Sequence, residues 1–227
     1  QITGTTSICA GQSSIIGFTP TGTAPFNLNY LVGGSPANVT LDATGTIGGT
    51  PLSVTPSNTT TYTLVDVTDA NSCTASVNGS ITITINPLPT ATISGSTSIC
   101  DGQSTDLEFN FTGTGPYSIN YDANNTNTSA VLNNNVDAIA VSPSSTATYT
   151  LIDVSDAYCS NTAMGIVIVT VHPLPSASIS GGDVICADGS TAQIDIIANG
   201  SAPFNVIYSD GLNNIPLAIN GNYWSDP

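Results

Sequence analysis

The residues of this chain best equipped for chemistry are its five cysteines, Cys9, Cys73, Cys100, Cys159 and Cys186. Their surroundings repeat. Ser7-Ile8-Cys9-Ala10-Gly11-Gln12-Ser13 returns as Ser98-Ile99-Cys100-Asp101-Gly102-Gln103-Ser104, and more loosely as Val184-Ile185-Cys186-Ala187-Asp188-Gly189-Ser190. Cys73 and Cys159 occupy matching later places in the first two copies. One pair per copy predicts the disulfides Cys9–Cys73 and Cys100–Cys159, with Cys186 unpaired in this window and its partner expected beyond Pro227. Closing loops of roughly 60 residues is worth about 3–4 kcal/mol in chain-entropy terms. Each first cysteine precedes a Gly-Gln turn that opens the next strand, so the bridge is expected to pin one end of a domain rather than cross its core. Such bonds persist in an oxidising compartment, outside the cytoplasm. A zinc site would need paired Cys-x-x-Cys or several histidines, and His172 is the only histidine.

Carboxylates offer a second chemistry. Asp66-Val67-Thr68-Asp69-Ala70-Asn71 recurs as Asp153-Val154-Ser155-Asp156-Ala157, just before the second cysteine of each copy. Calcium takes several oxygen ligands, and Asp66, Asp69, Asp153 and Asp156 with nearby hydroxyls and carbonyls are candidates for it, although the spacing fits no EF-hand loop. The competing reading makes Asp69 and Asp156 Asx-turns, with Asp66 and Asp153 solvated. No other cofactor is expected. Catalysis lacks its parts: Glu108 is the sole glutamate, on the polar face of a strand, and His172 sits in a linker. No Ser-His-Asp or Cys-His arrangement can be assembled, so the chain is not expected to be an enzyme.

The elements that hold these residues read as β. Leu107, Phe109 and Phe111 alternate with Glu108 and Asn110, the period-2 signature of a half-buried strand, and Ile81, Ile83 and Ile85 alternate with Thr82 and Thr84. Ile16 and Phe18, then Ile194 and Ile196, mark the equivalent strand of the other copies, and Ile166 to Val171 is apolar on both faces. Other landmarks recur too: Ala24-Pro25-Phe26, Gly115-Pro116-Tyr117 and Ala202-Pro203-Phe204, and Asn86-Pro87-Leu88-Pro89 with His172-Pro173-Leu174-Pro175. A period of about 86 to 91 residues is one compact domain per copy rather than one unit of a solenoid. Seven or so short strands per period predict an all-β fold of tandem immunoglobulin-like antiparallel sandwiches, the third truncated. The expected domains are 1–86, 87–172 with the Pro-Leu-Pro linker at its start, and 173–227 as the N-terminal part of a third repeat. The chain thus reads as a window on something longer. Tyr62 and Tyr149, each following a Pro-Ser turn, are either tyrosine corners or half-buried strand tyrosines with wet hydroxyls.

Composition removes whole classes of partner. The 227 residues contain no Lys or Arg against 15 Asp plus Glu, a formal charge of −15. Nucleic-acid binding needs basic side chains to displace counterions, and anionic lipid attracts basic segments, so neither partner is expected. Hydrophobic residues at 40% argue against disorder. No run approaches the roughly 18 apolar residues of a membrane span, so direct membrane insertion is not expected. Sequons such as Asn38-Val39-Thr40 and Asn110-Phe111-Thr112 matter only in a glycosylating host.

The run Pro87-Leu88-Pro89-Thr90-Ala91-Thr92-Ile93-Ser94-Gly95, then Ile99 to Ser104, Phe109 to Tyr117 and Thr148-Tyr149-Thr150-Leu151, resembles the tandem Ig-like repeats of very large Bacteroidota surface proteins. These are adhesin-like proteins exported by type IX secretion, often ending in a gliding-motility-associated C-terminal domain. The resemblance implies an extracellular, cell-surface protein whose repeats act as stalk, adhesin or fibre. Its partners would be other repeats of the same long chain, identical subunits in a fibre, or a surface or glycan ligand. Two other readings stand beside it: a repeated module binding carbohydrate or calcium, for which Tyr223 and Trp224 are the aromatic candidates, or spacer domains of a secreted enzyme.

Overall fold

β-Branched and aromatic residues at alternating positions build strands throughout, and the computed structural model describes residues 1–187 and 190–226. Asp188 and Gly189 of the third cysteine motif, and Pro227, lie outside the described residues. The first copy contains β1 (Ile2–Gly4), β2 (Ser7–Cys9), β3 (Ser14–Phe18), β4 (Phe26–Val32), β5 (Ser35–Leu41), β6 (Leu52–Val54), β7 (Thr60–Thr68), β8 (Thr74–Ser76) and β9 (Ser80–Asn86). They form one sheet in the order β1-β3-β6 and another in the order β2-β9-β7-β4-β5, with β8 paired to β7.

The second copy repeats this plan. Its strands are β10 (Thr90–Ser94), β11 (Thr97–Cys100), β12 (Thr105–Thr112), β13 (Tyr117–Ala123), β14 (Thr126–Leu132), β15 (Val136–Val141), β16 (Ala147–Ser155) and β17 (Ser160–His172). The sheets run β10-β12-β15 and β11-β17-β16-β13-β14. One strand, β17, does the work of β8 and β9. In the third copy β18 (Ser176–Gly181), β19 (Ile194–Asn199) and β22 (Tyr223–Asp226) make the first sheet, and β20 (Phe204–Ser209) with β21 (Asn214–Ile219) makes a two-stranded second. The fold is all-β, and no helix among the described residues is long and apolar enough to cross a membrane.

Alternation along the strands produces the core. Ile16 and Phe18 of β3, Leu107, Phe109 and Phe111 of β12, and Ile196 and Ala198 of β19 are buried, while Glu108 and Asn110 face out. In the first copy these pack with Phe26, Leu28, Tyr30, Leu41, Tyr62, Leu64, Ile81 and Ile83. In the second, Phe111 stacks on Tyr117 with ring centroids 4.5 Å apart. By packing density the chain divides into two compact units, one of Gln1–Ile93, Glu108–Asp137 and Thr150–Gly165, the other of Ser94–Leu107, Ala138–Tyr149 and the chain from Ile166 onward. This division passes through the second copy, partway along β10, β12, β15, β16 and β17.

Burial settles one of the two readings of the tyrosines. Tyr62 and Tyr149 are buried strand residues, 4% and 6% exposed, so neither stands half in water. Burial raises the Tyr62 hydroxyl above its usual range, and neighbouring Tyr30 adds to the effect. Tyr117 makes a bond back to the backbone four residues upstream: its hydroxyl donates to the Gly113 carbonyl at 3.0 Å with Asn135 Oδ1 at 3.2 Å. Phe26 and Phe204 take this place in the other copies, and a matching ring without a hydroxyl carried no sequence signal. Tyr117→Phe is therefore expected to destabilise the protein by about 1 kcal/mol in urea denaturation; an unchanged transition would show that the hydroxyl contributes nothing.

Candidate functional site: a disulfide joining two repeats

Strand β2 enters its sheet parallel to β9, with Ser7 opposite Thr84, Ile8 opposite Ile85 and Cys9 opposite Asn86. Cys9 therefore sits where the first copy ends. Cys73 sits at the other end of the same sheet, between β7 and β8, where Thr68 pairs with Thr74. The length of β9 separates them by more than about 20 Å at a strand's rise per residue, and the predicted Cys9–Cys73 bond cannot form. The second copy has the same geometry. Cys100 pairs opposite His172, the last residue of β17, while Cys159 immediately precedes Ser160, its first, which excludes Cys100–Cys159.

Cys9 instead bonds Cys159, the second cysteine of the following copy, with Cα atoms 5.8 Å apart. Cys73, Cys100 and Cys186 are exposed free thiols. The expectation that the bridge pins one end of the first copy holds, but what it is pinned to is the next repeat. Sequence spacing could not have chosen. Both cysteines recur with the same period, so pairing within a copy and pairing to the next copy predict the same cysteine pattern.

Each half of the joint is a rigid loop. On the first side the Gln12 side chain accepts from the Cys9 N–H at 3.1 Å, the Gln12 N–H donates to the Cys9 carbonyl at 3.0 Å, and Ala10 N–H donates to Asn86 at 2.9 Å. Gly11 supplies the left-handed turn at φ +83°. On the second side Asp156 organises the chain. Its Oδ1 accepts from the Tyr158 and Cys159 N–H groups at 2.9 and 2.8 Å, and its Oδ2 accepts from Thr114 N–H at 3.0 Å. Gly113 lets this carboxylate approach, because a Cβ built there would clash with Oδ2. Asp69 repeats the arrangement before Cys73: Oδ1 accepts from Asn71 and Cys73 at 2.9 and 3.0 Å, and Oδ2 from Thr23 at 3.4 Å.

This geometry gives each aspartate its hydrogen-bond partners. Asp69 and Asp156 are turn-closing acceptors of backbone N–H groups. Asp66 and Asp153 are half-buried and bonded to Asn29 and Asn120 at 2.7 and 2.8 Å, rather than simply solvated. Among the described residues no group of three or more His, Cys, Asp or Glu side chains converges to hold a metal ion. The Cys73 N–H, opposed by burial and assisted by the Thr23 and Asn71 N–H groups and the Asn71 side chain, holds the Asp69 carboxyl below the usual range. Burial pushes Asp156 up, but the Thr114, Cys159 and Tyr158 N–H groups together outweigh it and its pKa is also lowered. Asp42, which the sequence did not single out, is lowered much further by Thr44 and Thr46, whose hydroxyls and N–H groups it accepts within one turn.

The remaining candidates do not assemble. His172 is exposed and contributes its backbone carbonyl to Asp101 N–H, and Glu108 lies on an outer strand face. Tyr223 and Trp224 are consecutive on β22 and do not form one platform. Trp224 packs on the core of its copy, and the Tyr223 hydroxyl donates to Asp195 at 2.7 Å.

Comparison with known proteins places the second copy. The family described as "Nucleoporin POM152, Ig-like domain" matches residues 89–164, which run from the linker proline before β10 into β17. The immunoglobulin-like reading of the sandwich rests on this match. Among curated proteins none matches at a significant level. Two solved structures are similar at 12% identity. One is a Corynebacterium diphtheriae protein whose name describes it as membrane anchored, with TM-score 0.33 over 92% of this chain and 64% of that one. The other is SGBP-B of a Bacteroides ovatus mixed-linkage glucan utilization locus, solved with a mixed-linkage heptasaccharide, with TM-score 0.25 over 99% of this chain and 65% of that one. This chain thus spans slightly less than two thirds of either, and at these scores neither likeness bears on function.

Two outcomes follow from the joint. Peptide mapping without reductant should recover Cys9 linked to Cys159, and Cys9→Ser or Cys159→Ser should each lower stability by about 2–5 kcal/mol, the double variant no more than either single one; a Cys9–Cys73 peptide would refute the assignment. The aspartate loops should resist acid. A depressed folded-state pKa contributes stability that is complete above the unfolded value near about 4 and lost as pH falls through the folded value. The Cys73 and Cys159 amide resonances should therefore hold through the ordinary carboxylate range and shift only below it, and a midpoint near pH 4 would mean the loops are not so anchored.

Proposed function

We propose that this chain is a structural repeat region, the stalk or fibre part of an extracellular cell-surface adhesin or filament, disulfide-pinned and non-catalytic. The observation that carries the reading is the Cys9–Cys159 bond. A bond closed within one domain stabilises that domain. A bond from one repeat to the next instead fixes the connection between them, which matters where successive domains must keep their arrangement. It also calls for an oxidising compartment. The resemblance of the repeats to those of large Bacteroidota surface proteins supports the same location and suggests export by the type IX route.

Covalent connectivity gives this role physical content. Tension applied at the two chain ends reaches Cys9, crosses the sulfur–sulfur bond and leaves from Cys159, bypassing the residues between these cysteines, which are 150 positions apart. Those residues can unfold under thermal fluctuation but cannot be drawn out. The surface suits long exposure outside a cell in another respect, since proteases that cut after Lys or Arg find no site in the chain.

Single-molecule stretching of the intact chain tests the reading. The oxidised protein should extend less than the reduced protein by ~500 Å, the length of about 150 extended residues. Equal extension in both states would show that the bond does not bracket the chain and would remove the main support for a tension-resisting role.

A further inference from the structure

The second copy carries a polar groove whose counterpart in the first copy is largely closed by its own side chains. The groove has a volume of about 580 Å³ and is lined by Asn120 of β13, Asp153 and Ser155 of β16, and Ser160, Asn161 and Thr162 of β17. All of these residues belong to the same compact unit. Asn120, Asp153, Ser155 and Asn161 are half-buried, while Ser160 and Thr162 are exposed.

What the groove offers a ligand follows from which of its atoms are already engaged. A carboxylate only accepts, so Asn120 turns its Nδ2 towards Asp153 Oδ1 and donates to it at 2.8 Å. The Pro89 carbonyl fixes Asn161 in the same way, accepting from its Nδ2 at 3.0 Å. Asn120 Oδ1, Asp153 Oδ2 and the hydroxyls of Ser155, Ser160 and Thr162 have no hydrogen-bond partner among the described residues. The first two of these can only accept, and hydroxyls accept as readily as they donate. The first copy has the same amide–carboxylate pair, Asn29 and Asp66 at 2.7 Å, but there the Thr68 and Thr74 hydroxyls bond each other at 2.8 Å and Ala75 stands in the place of Asn161.

A half-buried set of acceptors calls for a ligand rich in donors, and charge selects among such ligands. The chain has no Lys or Arg to pair with Asp153, and its formal charge of −15 draws cations and repels anions. A hard metal ion takes several oxygen ligands, usually more than one of them charged, and the groove holds one carboxylate. A guanidinium brings N–H donors on every side of a planar fork, together with a positive charge that is more weakly hydrated than an ammonium. We propose that the groove over Asn120 and Asp153 is a binding site for an arginine side chain presented by a basic polypeptide partner. Its guanidinium donates to Asp153 Oδ2 and Asn120 Oδ1, and its remaining N–H groups to the hydroxyls beside them. This site requires neither the disulfide joint nor a structural role for the repeats.

The test is an NMR titration of the intact chain with the end-capped peptide Gly-Ser-Arg-Ser-Gly, and with versions carrying lysine or citrulline, the neutral isostere of arginine, at the central position. The arginine peptide should give saturable shifts at the Asn120 side-chain amide and the Ser155 and Ser160 backbone amides, with a Kd at least about fivefold below that of the citrulline peptide. The lysine peptide, a point charge without the fork, should bind severalfold more weakly than the arginine one. Asp153→Asn should abolish the preference for arginine, and the Asn29 side-chain amide of the first copy, an internal control, should move severalfold less than that of Asn120. The comparison of arginine with citrulline needs no altered protein. Equal affinity for arginine and either replacement, equal shifts at Asn29 and Asn120, or no saturable shift in the groove would overturn the proposal.

Discussion

Strand β2 lies parallel to β9, and this short pairing determines where the first cysteine of the chain can react. Its register carries Cys9 to the exit of the first copy, beside Asn86 and far along the sheet from Cys73. Everything distinctive about the joint follows from that placement: the bond to Cys159, the two loops that hold the sulfurs, and the free second cysteine of the same copy. The β11–β17 pair repeats the parallel register, so Cys100 is carried to the equivalent position.

Rigidity at the joint comes from backbone hydrogen bonds to uncharged or singly charged side chains rather than from ion pairs, which a chain without Lys or Arg cannot make between its side chains. Gln12 and Gln103 hold the first cysteines and Asp69 and Asp156 the second. The same economy of charge extends over the sheets. Thr61 and Thr82, Thr68 and Thr74, and Thr90 and Thr112 share hydroxyl hydrogen bonds of 2.7–2.8 Å across neighbouring strands. Such cross-strand pairs take the place that opposite charges hold in most sheets, and salt does not screen them as it screens surface charges.

Much of the architecture was legible because it is local. Alternation in Leu107-Glu108-Phe109-Asn110-Phe111 identifies a strand and its buried face without reference to anything distant, and the repeated motifs show that each sandwich is built the same way. The failures are non-local. Periodicity made the cysteine partners degenerate, and only the pairing register of the strands broke the tie. The Pro-Ser turns drew attention to Tyr62 and Tyr149, and the hydroxyl bond of Tyr117 had no such local mark. Tyr117 owes its role to Gly113 and Asn135, residues brought to its hydroxyl by the fold. Asp69 and Asp156 were singled out from their place before the cysteine, as calcium candidates or as turn formers, whereas their partners Thr23 and Thr114, more than 40 residues away, required the structure.

The Cys9–Cys159 bond also changes what a broken peptide bond means for this molecule. A chain bracketed in this way has two covalent routes from its beginning to its end over the enclosed stretch. One hydrolytic cut anywhere between the two cysteines opens one route and leaves the other, so both fragments stay attached through sulfur. Integrity across this stretch is lost only when scission and reduction coincide.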